Sequence, residues 1–400
     1  MNLLQINATY GIGSTGRIVK DIHELATENG ICSYVACRTS IDEKDTYKIG
    51  NIFDYKIHAL LCRVNGRQAY FSKRATRKLI KYMQQIKPDI IHLHNLHSNF
   101  INLNMFLDYV IEKDVALVLT LHDCWFYTGK CFHYTLQQCN KWKEECIACP
   151  KRWSDTPTYF KDYSQRTFRD RKDRFEKINK LYVVGASKWI ANEAKQSILN
   201  NGKISYCHNG VDLTVFKPLG REMRGHLGIK DTDFVILGMA GKWCSQQNEK
   251  QMKAICNLID HKTKLVLIGA DTIKKIDERI IKVPAVKSAT EMAQWYSMAD
   301  VFVNLTWEDT LPFVNIEALA CGIPVITHRT SGATETVDEQ TGICIEPGSI
   351  EEVLNAIAIV RTKGQKFYEK KCVERAKALF DAKQAYGKYF EIYGEIRNGS

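Results

Sequence analysis

Residues 300–329 read DVFVNLTWEDTLPFVNIEALACGIPVITHR, and this stretch decides the fold. The run Val301–Leu305 is short and apolar, as a buried strand is; an acidic loop with Glu308 and Asp309 follows, and helix-forming residues run from Phe313 to Ala320. Gly322 releases that helix, Pro324 forbids its continuation, and PVITH supplies a second strand. Strand, loop, helix and strand in that order build the ligand crevice of an open α/β sheet. Glu317 is a carboxylate in an otherwise small and apolar run, FVNIEALACG, where a charge needs a partner. Together with Asp309 it makes a pair of acceptors suited to the hydroxyls of a sugar, the other reading being solvated surface acids.

Outward from that stretch, 400 residues with 45% apolar content are enough for two cores. Lys plus Arg total 56 against 45 Asp plus Glu, a formal charge of +11. Nucleic-acid binding is disfavoured, because the basic residues are not interleaved with stacking aromatics in a defined module. Fourteen cysteines in a long chain with no apolar leader fit a reducing cytosol better than a disulfide scaffold. The apolar runs are too short to cross a bilayer, so the expected place is the cytoplasm, with peripheral contact on the inner face of the cell membrane left open.

The first domain opens with a strand at Leu3–Ile6, then ATYGIGSTGR, where Gly11, Gly13 and Gly16 allow close backbone approach before a helix starting near Ser14 or Thr15. Strand, glycine loop and helix present amide groups to an anion or a sugar, although the full dinucleotide spacing is lacking. Residues 54–85 have a helical, basic pattern with Lys73, Arg74, Arg77, Lys78 and Lys81 grouped together, either a solvated face or one attracted to an anionic membrane surface. DIIHLHN carries His92, His94 and His97; metal binding, substrate contact and structural hydrogen bonding are the three readings. The strand VALVLTL delivers His122 and Asp123 to its C-terminal end, where ligands bind in such sheets.

After Trp125, TGKCFHYTLQQCNKWKEECIACPKRW brings Cys131, Cys139, Cys146 and Cys149, the last two with C-x2-C spacing, and His133 as a substitute ligand. A structural zinc, reduced packing thiols and disulfides all remain open for them. The basic segment 161–180 places Phe168 and Phe175 on one helical face, turned either to a membrane or to the first domain. Ser187 is placed to cap a helix beginning at Lys188 or Trp189.

The turn-rich run HNGVDLTVFKP marks the domain boundary, after which strand and helix alternate again: FVILGMA, EKQMKAICNLI, KLVLIGA, EMAQWYSMA, VFVNL. The expected fold class is α/β, with two Rossmann-like domains facing across a cleft: residues 1–210 with a cysteine-rich insertion at 124–155, residues 211–378, and a C-terminal helix at 379–400 crossing back to the first domain.

Three phrases, TLHDCWFYTGKC with CIACP, HNGVDLTVFKP, and DTLPFVNIEALACGIPVI followed by TSGATE, make nearly the whole chain resemble the retaining family 4 glycosyltransferases of GT-B fold in bacterial exopolysaccharide, capsule and O-antigen synthesis. The resemblance implies a UDP- or GDP-sugar donor and a saccharide or lipid-linked acceptor. It makes Glu317 the ligand of the donor ribose, Asp309 and His122 the residues at the transferred sugar, and the glycine loop Gly11, Gly13 and Gly16 a phosphate or acceptor contact. Phe313, Val314 and Asn315 open the helix whose amides meet the diphosphate.

In the run GMAGKWCSQQNEK, Gly241 and Lys242 belong to the donor site, and Gln246 and Gln247 stand where the family commonly has a basic pair on the leaving diphosphate. Glutamine cannot neutralise phosphate charge, so Lys242 or Lys250 must fold in, or activity is weakened. No DxD motif occurs in the loops of the first domain, which implies chemistry without a catalytic metal. A nucleotide-sugar epimerase and a nucleotide-sugar-binding protein are the alternatives.

Overall fold

Runs such as ALVLTL are apolar at every position, so they cannot turn one face to water and take central places in parallel sheets. The computed structural model describes every residue except 43–45, 259, 272–276, 278 and 400. Two units result, Met1–His208 with Tyr386–Ser400, and Asn209–Ala385.

The first unit holds β1 (Asn2–Tyr10), β2 (Cys32–Ser40), β3 (Thr46–Lys48), β4 (Ile90–Leu93), β5 (Ala116–Leu121), β6 (Leu181–Gly185) and β7 (Lys203–Tyr206) in the order β3-β2-β1-β4-β5-β6-β7. The second holds β8 (Phe234–Met239), β9 (Thr263–Ile268), β10 (Ile280–Val283), β11 (Val301–Asn304), β12 (Val325–His328) and β13 (Gly342–Ile345) in the order β10-β9-β8-β11-β12-β13. All pairings are parallel. Each sheet is therefore a Rossmann-like layer whose winding reverses once, between β1 and β4 and between β8 and β11. Ligands bind beyond the C-terminal strand ends at such reversals.

The glycine loop starts α1 (Gly13–Glu28) one residue before the expected Ser14. Residues 54–85 form two helices, α2 (Ile52–Asn65) and α3 (Lys73–Ile86), because Gly66 takes a left-handed φ of 72° and its N–H closes on Cys62 O. Ser187 caps the helix Lys188–Lys195, its Oγ accepting from Ile190 N at 3.3 Å. The helix EKQMKAICNLI runs from Glu249 to Leu258, and its expected last residue, Ile259, lies outside the described residues.

The cysteine-bearing stretch after β5 is not a separate insertion. It contains two 3-10 turns, Trp125–Tyr127 and Lys141–Lys143, and buries Trp125, Tyr127, Tyr134 and Trp142 in the first unit's own core. The fourteen cysteines are instead dispersed through both units. Arg171, on the helix Ser164–Phe175, explains why this irregular backbone is held: its buried guanidinium stacks 3.8 Å over the Trp125 ring and donates to Trp125 O and, at 2.6 Å, to Thr128 O. Phe168 and Phe175 pack into the same core, so this segment faces the protein. The helix Ala382–Asn398 also joins the first unit from Tyr386 on, with Tyr393 OH 2.7 Å from His92 Nδ1 and Tyr389 OH 2.9 Å from Thr120 Oγ1.

Candidate functional site

At the reversal of the second sheet, the chain leaving β11 passes Thr306–Asp309 and enters the helix Phe313–Ala320. Each part of that loop has a fastening. His328 Nδ1 donates to Thr306 O at 3.0 Å, Thr330 Oγ1 donates to Trp307 O at 2.8 Å, and Gly332 N donates to Asp309 O at 3.2 Å. Asn248 joins both sides of the reversal: its amide donates to Lys242 O at 2.9 Å and to Leu305 O, while its Oδ1 accepts from Trp307 Nε1 at 2.7 Å. Asn209 Nδ2 donates to Leu311 O at 3.2 Å just before the helix.

The helix begins after Pro312, which gives it no side-chain cap. Phe313 and Val314 are half-buried at this opening; Asn315 is buried, taking Asn304 Nδ2 at 2.8 Å and giving to Thr336 Oγ1 at 2.9 Å. Glu317 is buried, and its Oε2 accepts from Tyr296 OH at 3.0 Å. Asp309 is half-buried in the loop. The helix stops in a Schellman arrangement, Ile323 N on Ala318 O and Gly322 N on Leu319 O, with Gly322 at φ 79°.

Across the reversal, Gly241 and Lys242 lie exposed on the short helix Ala240–Trp243 that continues β8. Trp243 turns inward, donating to Val303 O at 2.9 Å, and a side chain on Gly238 would collide with its indole. Gln246 and Gln247 are exposed beyond that helix, as is Lys250.

In the first unit, Gly11 and Gly13 have φ of 68° and 69°, and Gly11 N donates to Gly16 O at 2.8 Å. A side chain on Gly16 would strike Thr9 Oγ1, and Ile12 gives α1 no side-chain cap. Beside this loop two of the histidines form a wired set with Gln5. Gln5 Nε2 donates to Val19 O at 3.2 Å, which leaves its Oε1 to accept from His94 Nε2, also at 3.2 Å. His94 Nδ1 is then bare and accepts from His122 Nε2 at 3.0 Å. His122 Nδ1 is left as a lone-pair acceptor at the end of β5.

Burial pulls the His122 imidazole down to about 4 against the opposing pull of Asp123, and burial holds His94 and His92 well below the ordinary histidine value. All three are therefore neutral near pH 7. His97 Nε2 sits 3.0 Å from Asp123 Oδ2, and Trp125 N donates to Asp123 Oδ1 at 2.9 Å. Burial would raise Asp123, but His97 and that N–H hold it below the usual carboxylate range.

Cys131, Cys139, Cys146 and Cys149 line one small cavity of about 20 Å³. Cys131 Sγ is 3.8 Å from Cys149 Sγ, and Gly129 N donates to Cys146 Sγ at 3.2 Å. The bond from Cys131 draws the Cys149 thiol down to about 7. Among the described residues, no three or more His, Cys, Asp or Glu side chains stand close enough to hold a metal ion, and this covers His92, His94 and His97 as well.

Sequence reasoning missed Gln5, Asn248 and Tyr296. Asn248 lies in an irregular turn and Gln5 in a buried strand, where neither periodicity nor spacing signals a polar role. A glutamine amid the apolar residues of β1 was the one available clue.

Residues 15–215 match Glycosyltransferase Family 4, and residues 235–362 match Glycosyl transferases group 1. The chain is 24% identical to the putative colanic acid biosynthesis glycosyl transferase WcaC of Escherichia coli, across 99% of this chain and 100% of that protein. Among solved structures it is similar to sucrose-phosphate synthase of Thermosynechococcus elongatus, with a TM-score of 0.73, 16% identity and 100% of both chains covered. It is also similar to HepE of Anabaena in complex with UDP-glucose, with a TM-score of 0.65, 15% identity, and 99% of this chain and 100% of that one covered.

Proposed function

Because the chain belongs to Glycosyltransferase Family 4, we propose that it moves a hexosyl unit from a UDP- or GDP-sugar to a saccharide or lipid-linked acceptor, with retention of anomeric configuration, in bacterial surface polysaccharide synthesis. The single observation that carries this is the buried Glu317 beside the Asp309 loop at the reversal of the second sheet. Tyr296 OH orients this carboxylate from 3.0 Å, and carboxylate oxygens are acceptors suited to ribose hydroxyls. The likeness to the putative colanic acid biosynthesis glycosyl transferase WcaC supports the polysaccharide setting.

Each residue has a role in this reading. Glu317 takes the donor ribose, and the amides at Phe313 and Val314 take the diphosphate through the helix dipole, Asn315 N donating instead to Pro312 O at 3.1 Å. Asp309 faces the transferred sugar. In the first unit His122, neutral and presenting Nδ1, is suited to accept a sugar hydroxyl, with Gln5 and His94 fixing its tautomer as positioning residues. The glycine loop at Gly11, Gly13 and Gly16 meets phosphate or acceptor.

The bond from the anomeric carbon to the β-phosphate oxygen breaks, and the acceptor oxygen bonds to that carbon on the same face. Its proton passes to the departing phosphate oxygen, so no protein nucleophile is needed. Gln246 and Gln247 cannot neutralise the leaving group. Lys242, next to the Asn248 bridge, supplies that charge, and turnover proceeds without a catalytic metal.

The test is transfer from a panel of UDP- and GDP-sugars. One donor is expected to turn over, glycoside to form only with acceptor, and Lys242→Ala to lower kcat by about ten- to a hundredfold. Epimer formation without acceptor, or tight nucleotide binding with no turnover from any donor, contradicts it. A structural zinc on Cys131, Cys139, Cys146 and Cys149 needs these thiols to draw closer than they stand here, and it rests on their shared cavity alone. About one zinc per chain in protein purified without chelator, lost in Cys146→Ser, is the expected result; zinc-free protein with an unchanged melting point refutes it.

A further inference from the structure

α2 carries two apolar faces. Tyr55, His58 and Cys62 are buried against the first unit, while on the opposite side Phe53 is 73% exposed, Ile57 58%, Leu60 63% and Val64 41%. Spacings of four, three and four residues put these side chains in one stripe along the helix. A helix in water keeps its outer face polar, so a four-residue apolar stripe has a partner.

A second exposed patch lies at the C-terminal end of this stripe. Tyr159 N donates to Arg63 O at 2.9 Å, which fixes the 158–160 backbone against the end of α2, and Phe160 is 74% exposed. Trp153, 6.4 Å from the Tyr159 ring, is exposed too. Lys56 and Arg63 stand exposed on α2 itself, and α3 follows with its exposed cations. Between Ile52 and Ile86 the only carboxylate is Asp54, and that one accepts from Asn51 N in the capping box of α2.

We infer that α2 and the Trp153–Phe160 segment form the face by which this protein docks on an anionic lipid bilayer. Aliphatic and aromatic side chains flanked by lysine and arginine, with Asp54 held in the capping box and Asp155 of the second segment paired with Lys151 at 3.5 Å, match the boundary between acyl chains and anionic headgroups. An acidic protein would satisfy the cations but not the long apolar stripe, and a second copy of this chain would set cation against cation. The inference is independent of which donor is used, because bilayer binding is read without turnover.

The experiment is co-sedimentation of the full chain with vesicles of phosphatidylglycerol and phosphatidylcholine, and with phosphatidylcholine alone. Binding is expected to the anionic vesicles, weaker at high salt. Phe53→Ser with Leu60→Ser should weaken it by at least about tenfold at an unchanged melting point. Lys56→Glu with Arg63→Glu should weaken it too, and restore no binding to neutral vesicles. Wild-type protein that stays in the supernatant, or apolar variants that bind as wild type does, overturns the inference. So does a concentration-dependent dimer that the apolar substitutions dissolve, since the stripe is then covered by a second copy.

Discussion

Glu317→Ala is expected to lower kcat/KM by about a hundredfold to ten-thousandfold and to weaken nucleotide binding in step. The carboxylate is buried, and hydrogen bonds to a charged acceptor contribute about 1.5–3 kcal/mol each, so losing two to a ribose costs about 3–6 kcal/mol. Glu317→Gln keeps an acceptor oxygen and removes the charge, so its loss should be smaller, about ten- to a hundredfold. Tyr296→Phe gives the needed contrast. It removes the 3.0 Å bond that orients Glu317 while leaving the carboxylate in place. Its KM should rise with little change in kcat, whereas Asp309→Asn, acting at the transferred sugar, should lower kcat more than it raises KM. Isothermal titration with UDP and GDP beside steady-state rates separates these. Unaltered nucleotide affinity in Glu317→Ala would remove Glu317 from the site.

Acid should unfold the protein well above the carboxylate range. Burial lowers His58, His122 and His328 to about 4, and His92 and His94 well below the ordinary value. A histidine whose folded pKa is depressed takes its proton in the unfolded chain first. Its contribution is complete above the unfolded value of about 6.5 and is lost as pH falls toward the folded one. Each such group loses up to about 1.4 kcal/mol per pH unit in that window. Four of the five lie in the first unit, and His122 counts for less because it is only half-buried. Between pH 7 and 5.5 the midpoint of thermal unfolding should therefore drop by about 10 °C. His58→Gln should flatten the profile by one group's share. A midpoint independent of pH across that interval would mean these histidines are solvated.

Most of the fold was legible because its signals were local. PVITH, VFVNL and ALVLTL are apolar at every position and so read as central strands, and Gly322 with Pro324 marked a helix end that forms as a Schellman turn. The short edge strand β3 escaped notice, since Thr46–Lys48 has neither length nor an apolar pattern. The α2–α3 break hid within one helical pattern because a single glycine makes it. The cysteine stretch looked peripheral, although Trp125, Tyr127 and Trp142 carry it into the core. That misreading came from weighing its polar residues and turns over three large aromatics. Glu317 stood out because a charge in an apolar helix is anomalous, and the fold buries it against Tyr296. Gln5, His94 and Asn248 act through partners distant in sequence, His94 on His122 and Asn248 on Trp307, and such pairings exist only once the sheets have formed.

Hydrogen exchange with the transferable UDP- or GDP-sugar at saturation tests the placement of the donor most directly. New amide protection is expected in three stretches at the reversal of the second sheet, residues 239–243, 304–309 and 313–317. A donor that turns over while protecting none of these would contradict that placement.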